Sequence, residues 1–258
     1  MNMDSSSLER LSPWWKNAVI LVMILGFSVL IGLAVKSYKD APPIPDEVVG
    51  PGGAAVFTAE DIRSGQEVFL KYGLMENGTV WGHGAYLGPD FSAKYLHQQT
   101  LDSYEFLARQ KFGADWGGLT PEQQDVIQGE VARDTRINRY DAAKGVLTLT
   151  PAQAYSFEKQ QEQWREFFAA PVNNFGLPTT YIADPKELRQ VTTFFFWTAW
   201  ACATNRPGEV FSYTNNFPYD PAVDNLPTHG AILWSALSLI ALLGGTGLAL
   251  FAFGRFDF

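Results

Sequence analysis

The sequence predicts a mainly α-helical membrane protein in which two transmembrane helices flank one extracytoplasmic domain with long loops. Two uncharged apolar runs, one near each end of the 258-residue chain, are long enough to cross a bilayer. Between them, a signature that starts helices recurs several times, whereas one short stretch has the composition of a strand. These features together predict helices both inside the membrane and in the domain outside it.

The first apolar run predicts a transmembrane helix over residues 18–36, behind a cytoplasmic N-terminus of residues 1–17. The run follows Trp14 and Trp15, and tryptophan is enriched at the membrane–water interface. A cleaved signal peptide is the competing interpretation. The run is long for such a peptide and no small-x-small cleavage site follows it, so we expect a retained span.

Residues 37–57 are rich in proline and glycine and predict an extended connector, because proline fixes φ and removes a backbone donor. Residues 58–228 follow as the folded domain, with a short strand expected at residues 145–149. Helix starts within the domain are predicted where a capping residue precedes an acid or glutamine by three positions. They lie at Thr58, Thr120, Thr150 and Asp184.

The segment VTTFFFWTAWACA, residues 191–203, is too short to span a bilayer. One interpretation is a buried core helix. The other is an aromatic helix that lies against the membrane surface or a partner subunit. Composition alone leaves both interpretations open.

The second apolar run predicts a transmembrane helix over residues 229–253, followed by a cytoplasmic end at residues 254–258. At a rise of about 1.5 Å per residue this run crosses the hydrocarbon core with room for tilt. The basic residues beside the two spans are divided between their ends, so the positive-inside rule is only weakly informative. We expect cytoplasmic termini and an extracytoplasmic domain.

Charge and cysteine content exclude several function classes. From Asp40 to His229 the chain has 24 acidic and 14 basic residues, a surplus of ten negative charges that repels nucleic acid. A single cysteine, Cys202, allows neither an internal disulfide nor a C-x-x-C-H heme attachment nor a cysteine-based zinc site. Three histidines in the whole chain are too few for a multi-metal centre.

Two histidines are the candidate functional residues. His83 lies between Gly82 and Gly84, where backbone freedom would let a ligand approach closely. His229 lies at the mouth of the second span, where it could handle protons or quinol. For both, a hydrogen-bonded structural or interfacial histidine is the competing interpretation. His97 is expected on a helix with Phe91, with nothing in the sequence that places it beside His83.

A resemblance is carried by the run GQEVFLKYGLMENGTVWGHGAYLGPD, residues 65–90. It resembles the heme-attachment region of the small cytochrome c subunit of bacterial nitric oxide reductases. That family has glycine and an aromatic residue, then C-x-x-C-H, then G-x-G-A-Y-x-x-P-acid. This chain matches both flanks without a gap, but Leu74 and Asn77 stand at the cysteine positions and Gly78 stands at the histidine position.

The wider pattern is similar to the N-terminal part of the quinol-dependent nitric oxide reductases. It includes APPIPDEVV, WGHGAYLGPD, SYTNNFPYDP with the following PTH, and a final FGRFDF. The resemblance implies a heme-free cytochrome c-like domain in a bacterial inner membrane protein, with the domain on the periplasmic side. It also implies a multi-span catalytic partner or core that binds heme b, heme b3 and non-heme iron, none of which this chain would ligate.

The resemblance implies a chain that is not catalytic alone, within an enzyme that converts two nitric oxide molecules and quinol to nitrous oxide, water and quinone. The alternatives are a two-span extracytoplasmic sensor or binding module, and the equivalent part of a nitric oxide dismutase-like relative. We further expect side chains such as Leu74, Met75 and Trp81 to fill the space of the missing heme.

Overall fold

The computed structural model describes residues 13–170, 172 and 174–256, and this part of the chain is mainly α-helical, as predicted. Its helices are α1 Pro13–Lys39, α2 Ala59–Lys71, α3 Phe91–Phe112, α4 Pro121–Arg136, α5 Pro151–Ala169, α6 Pro185–Ala203 and α7 His229–Phe256. Its strands are β1 Glu47–Val49, β2 Ala55–Thr58, β3 Thr79–Val80, β4 His83–Gly84, β5 Tyr140–Asp141 and β6 Val146–Thr148.

Helices α1 and α7 are the two candidate membrane spans among the described residues, long and apolar enough to cross a bilayer. Their apolar stretches are fully exposed within the chain, as expected of surfaces that face lipid. Both helices extend past the expected limits of 18–36 and 229–253. The expected cytoplasmic ends lie partly outside the described residues, so these membrane boundaries stay predictions.

The chain forms two compact units, one up to Pro42 and one from Pro43 onward. The first contains α1. The second contains α2 to α7 and all six strands.

The segment expected as an extended connector contains strands β1 and β2, which pair antiparallel. Gly52 and Gly53 join them with φ values of 87° and 83°, which non-glycine residues rarely adopt. The strand predicted at residues 145–149 is present as β6 and pairs parallel with β1, giving the sheet order β2-β1-β6-β5. The hairpin was not predicted because the prolines and glycines of this segment indicate an extended connector. The apolar stretches VV and AVF between them, which form the strands, were not taken into account.

Three of the four helix starts form complete capping boxes, at Thr58, Thr120 and Thr150. At the fourth, Asp184 accepts from the Lys186 backbone N at 2.8 Å, but Glu187 does not reach back to it. Instead Glu187 accepts from Lys71 Nζ at 2.5 Å and from Tyr72 Oη at 2.8 Å. The pKa of Glu187 is lowered, mainly by the hydrogen bond from Lys71. The same contact links the end of α2 to the start of α6.

Helix α6 is the centre of the core. Every residue from 191 to 203 is buried except Trp197, which is half-buried, so the core-helix interpretation of this segment is correct. Helix α2 approaches α6 closely at Gly65, where an added Cβ would lie 2.7 Å from the carbonyl carbon of Gln190 and 2.8 Å from Phe194 Cβ. Glycine at position 65 therefore sets the spacing of the two helices.

Candidate functional site

The candidate site is the loop between α2 and α3, where the sequence resemblance places a heme attachment. Gly73, with φ of 56°, turns the chain into a short 3₁₀ turn at Leu74–Glu76. Leu74 is fully buried in the hydrophobic core. Asn77 is also buried, and its Nδ2 donates to the carbonyl oxygen of Phe175 at 2.9 Å. Both cysteine positions are thus occupied by side chains engaged in packing or hydrogen bonding.

The histidine position, Gly78, has no room for a side chain. A Cβ added there would lie 2.7 Å from Phe91 Cε2 and closer still to the carbonyl oxygen of Pro89. Real Cβ atoms essentially never approach heavy atoms under 3.0 Å. The residues at positions 74, 77 and 78 therefore do not fit a covalently attached heme with a histidine ligand.

Phe91 belongs to an aromatic cluster beside this loop. Its ring stacks on Phe195 with a centroid distance of 4.9 Å and an interplanar angle of 7°. It meets Phe69 edge-to-face at 5.7 Å and Trp164 at 5.9 Å with a tilt of 42°. All four side chains are buried, and aromatic pairs of this geometry each stabilise a core by about 0.5–1.5 kcal/mol beyond their area.

Of the three side chains expected to fill the space of a missing heme, two are at least half-buried, and their occupation of a heme's space stays a prediction. Leu74 is buried, and Trp81 is half-buried with its Nε1 donating to Thr198 O at 2.9 Å. Met75 is 41% exposed, so that part of the expectation is wrong. Sequence reasoning missed Phe91 as an occupant. The available signal was its position directly after a capping acid, which fixes it as the first residue of a helix beside the loop.

Asp90 holds the loop closed. Its Oδ1 accepts from the backbone N of Ala93 at 2.9 Å and so caps α3. Its Oδ2 accepts from Thr79 Oγ1 at 2.7 Å and from the backbone N of Gly82 at 2.7 Å. This carboxylate thus joins both arms of the loop to the start of the helix, which explains the acid that ends the sequence motif.

The two glycines of the G-x-G motif are required by the backbone. Gly82, in the turn between β3 and β4, has a φ of 78°, and Gly84, the last residue of β4, has a φ of 138°. A Cβ at position 84 would also lie 3.1 Å from Thr79 Cα. Glycine is the residue that adopts such conformations without steric cost.

The structure does not gather the histidines into a metal site. His83 lies exposed in β4, opposite Val80, and His229 is the exposed first residue of α7. His97 is on α3, as expected, with its Nδ1 3.4 Å from Asp220 Oδ2. Within the described part of the chain, no group of three histidine, cysteine, aspartate or glutamate residues could hold a metal ion. Any role of His83 or His229 stays a prediction.

The loop and the core around it match a known protein family. The family model of the NorB cytochrome c-like domain of nitric oxide reductase matches residues 45–219. The chain belongs to this family. The match begins before β1 and ends after the aromatic core, and the two apolar helices flank it, as the resemblance implied. No curated protein matches the chain.

Family membership relates the loop between α2 and α3 to a known domain. The cytochrome c-like domain of nitric oxide reductase includes this loop, with its capping acid and G-x-G hairpin, within the matched residues. At the positions that the sequence resemblance assigns to heme attachment, Leu74 and Asn77 are buried and Gly78 has no room for a side chain.

Replacing Asp90 with alanine is expected to destabilise the full chain by about 2–3 kcal/mol, because a helix cap and two loop hydrogen bonds are lost together. Urea unfolding in detergent, followed by tryptophan fluorescence, measures the change. Asp90→Asn separates the two roles. Its amide oxygen can still cap α3, but its NH2 group cannot accept from the Gly82 backbone N, so we expect a loss smaller than that of Asp90→Ala but clearly measurable. Equal losses for the two variants would contradict the role of Asp90 as a helix cap, and an Asp90→Asn protein as stable as wild type would contradict its role in loop closure.

Proposed function

We propose that this chain is the heme-free, non-catalytic N-terminal subunit or portion of a quinol-dependent nitric oxide reductase. The complete enzyme converts two nitric oxide molecules and quinol to nitrous oxide, water and quinone, a step of denitrification. The catalytic core, with heme b, heme b3 and non-heme iron, belongs to a multi-span partner. This chain covers the periplasmic face of that core in the bacterial inner membrane.

One observation carries the heme-free assignment: Gly78 has no space for the histidine that a c-type heme needs, because Phe91 and Pro89 occupy it. A cytochrome c-like domain without heme cannot relay electrons from a water-soluble donor. Electrons must then enter the enzyme elsewhere, and quinol, which is dissolved in the membrane, supplies them without this domain. The heme-free loop therefore favours quinol as the donor.

The role left to the domain is structural. Its two candidate spans add helices beside the core, and the domain between them, expected over residues 58–228, covers the core from outside. The domain carries most of the surplus of ten negative charges between Asp40 and His229. No catalytic residue is assigned to this chain; His83 and His229 are the two side chains to vary when contacts to the core are tested.

Co-purification tests this function. The full chain is tagged and expressed in its native host under nitric oxide-generating conditions. A multi-span heme b protein should co-purify with it from detergent-solubilised membranes. The complex should reduce nitric oxide with a quinol and not with a reduced soluble cytochrome c. Activity with the soluble cytochrome alone would contradict quinol dependence. A chain that is purified without any heme protein would favour the two-span sensor instead.

A further inference from the structure

Two loops of the domain, neither of which contains an acidic residue, expose aromatic and apolar side chains. In the first, residues 82–88, Tyr86 is 88% exposed and Leu87 is 73% exposed. In the second, residues 215–219, Phe217 is 43% exposed and Tyr219 is 58% exposed. Apart from the exposed His83, neither segment contains an acidic or basic residue, although the domain as a whole is strongly acidic.

The two loops form one surface. The ring of Phe217 lies against Gly82, where an added Cβ would be 2.8 Å from Phe217 Cε1. The hydroxyl of Tyr86 donates to the carbonyl oxygen of Gly82 at 3.5 Å. Gly82 is thus the meeting point of the two loops, and we call this surface the aromatic patch (Tyr86, Leu87, Phe217 and Tyr219).

The aromatic patch is held rigidly. Asp90 fixes the first loop by accepting a hydrogen bond from the Gly82 backbone N. Asn216 fixes the second loop: its Oδ1 accepts from Ser212 N at 2.9 Å and its Nδ2 donates to Leu226 O at 2.9 Å. A surface that is already ordered loses little conformational entropy on binding, so exposed aromatic side chains in rigid loops are well suited to a contact.

The patch lies close to the point where α7 begins. The carbonyl oxygen of Asn215 accepts from Thr228 N at 3.3 Å, and α7 starts at the next residue, His229. Asn215 is two positions from Phe217. If α7 enters the bilayer near its first residue, the patch is at the height of the lipid headgroups.

We propose that the aromatic patch rests in the headgroup region of the bilayer and fixes the orientation of the domain on the membrane. Tyrosine and other aromatic side chains favour this region, where an apolar ring and a polar tip are both solvated. Because the patch is uncharged, an anionic bilayer does not repel it as it repels the rest of the acidic domain. The proposal requires that α7 spans the membrane, and it does not depend on the reductase function.

Site-specific lipid quenching tests the proposal on the full chain in nanodiscs of phosphatidylethanolamine and phosphatidylglycerol. The variants Tyr86→Cys and Phe217→Cys carry an environment-sensitive fluorophore. The single native thiol, Cys202, is fully buried, so only the added cysteine is labelled. Phe112→Cys is the matched control: Phe112 is 38% exposed and lies at the far end of α3, about 31 Å from Phe91 along the helix.

Labels at positions 86 and 217 should be quenched about threefold more strongly by brominated lipids than the label at position 112, because interfacial groups reach about 5–10 Å into the headgroup boundary. Equal quenching at the three positions would overturn the proposal. A second result would also overturn it: labels at 86 and 217 stay water-accessible in nanodiscs and become protected only in the complex with a heme-bearing partner. That result would assign the patch to a protein contact and leave the proposed function intact.

Discussion

Replacement of Gly78 by alanine is expected to lower the melting temperature of the full chain in detergent by roughly 6–12 °C, since overpacking costs about 3 kcal/mol at its upper range. The new methyl group would meet the ring of Phe91 and the backbone of Pro89. Phe91 cannot give way easily, because it stacks on Phe195 and is fully buried. The backbone at Pro89 is held in turn by its carbonyl oxygen, which accepts from Thr79 N at 3.0 Å.

The matched control for this substitution is Gly129→Ala in α4, where nothing lies within 4 Å of an added Cβ. Alanine is a better helix former than glycine by about 1 kcal/mol, so the control should melt at a slightly higher temperature. Circular dichroism of both variants measures the difference. A Gly78→Ala protein as stable as wild type would show that position 78 has room for a side chain, contrary to the tight packing of Phe91 and Pro89 on Gly78.

Replacement of Gly65 by alanine is the second substitution expected to have a large effect. The added methyl group would lie against the backbone of Gln190 and the Cβ of Phe194, so α2 would be pushed away from α6. We expect a loss of about 3 kcal/mol in the free energy of unfolding, despite the better helix propensity of alanine. Urea unfolding of the full chain in detergent measures it.

The control for Gly65→Ala is the neighbouring substitution Ser64→Ala. The Ser64 hydroxyl makes one weak contact, 3.4 Å from Glu60 Oε1, on the exposed side of α2. Its removal should change the free energy of unfolding by less than about 0.5 kcal/mol, as is usual for surface substitutions. If the two variants unfold at the same urea concentration, the close approach of α2 and α6 is not what makes glycine necessary at position 65.

The sequence predicted those features that depend on local signals. The capping boxes at Thr58, Thr120 and Thr150, the strand at β6 and the two spans all follow from residues that are neighbours in the chain. The family resemblance was also local, because the motif that carries it is contiguous over residues 65–90.

The features that the sequence could not reveal depend on how the loop folds back on itself. Phe91 is 13 positions beyond Gly78, and only the loop closure by Asp90 brings its ring against that glycine. Met75 was expected inside because it is apolar. Its carbonyl oxygen accepts from Ala85 N at 2.8 Å, and its side chain stays partly exposed beside that backbone contact.

The interpretation of residues 191–203 needed the structure for a different reason. A thirteen-residue aromatic helix has the same composition whether it lies in a core or on a membrane. Contacts from separate parts of the chain decide between the two: Phe69 from α2, Phe91 from α3 and Trp164 from α5 all pack on Phe195. Such contacts over long sequence separations leave no local pattern.

We propose that this nitric oxide reductase domain keeps the loop of a cytochrome c without its heme, and the whole account depends on this proposal. The most direct test is the intact mass of the full chain, purified from cells that also express the c-type heme attachment machinery. We expect the mass of the polypeptide alone, both for the wild type and for the variant L74C/N77C/G78H, in which Phe91 and Pro89 still obstruct position 78. The wild type, which lacks both cysteines, is the control. A variant L74C/N77C/G78H that is heavier by one covalently bound heme would show that the loop still has room for the group and would contradict the account.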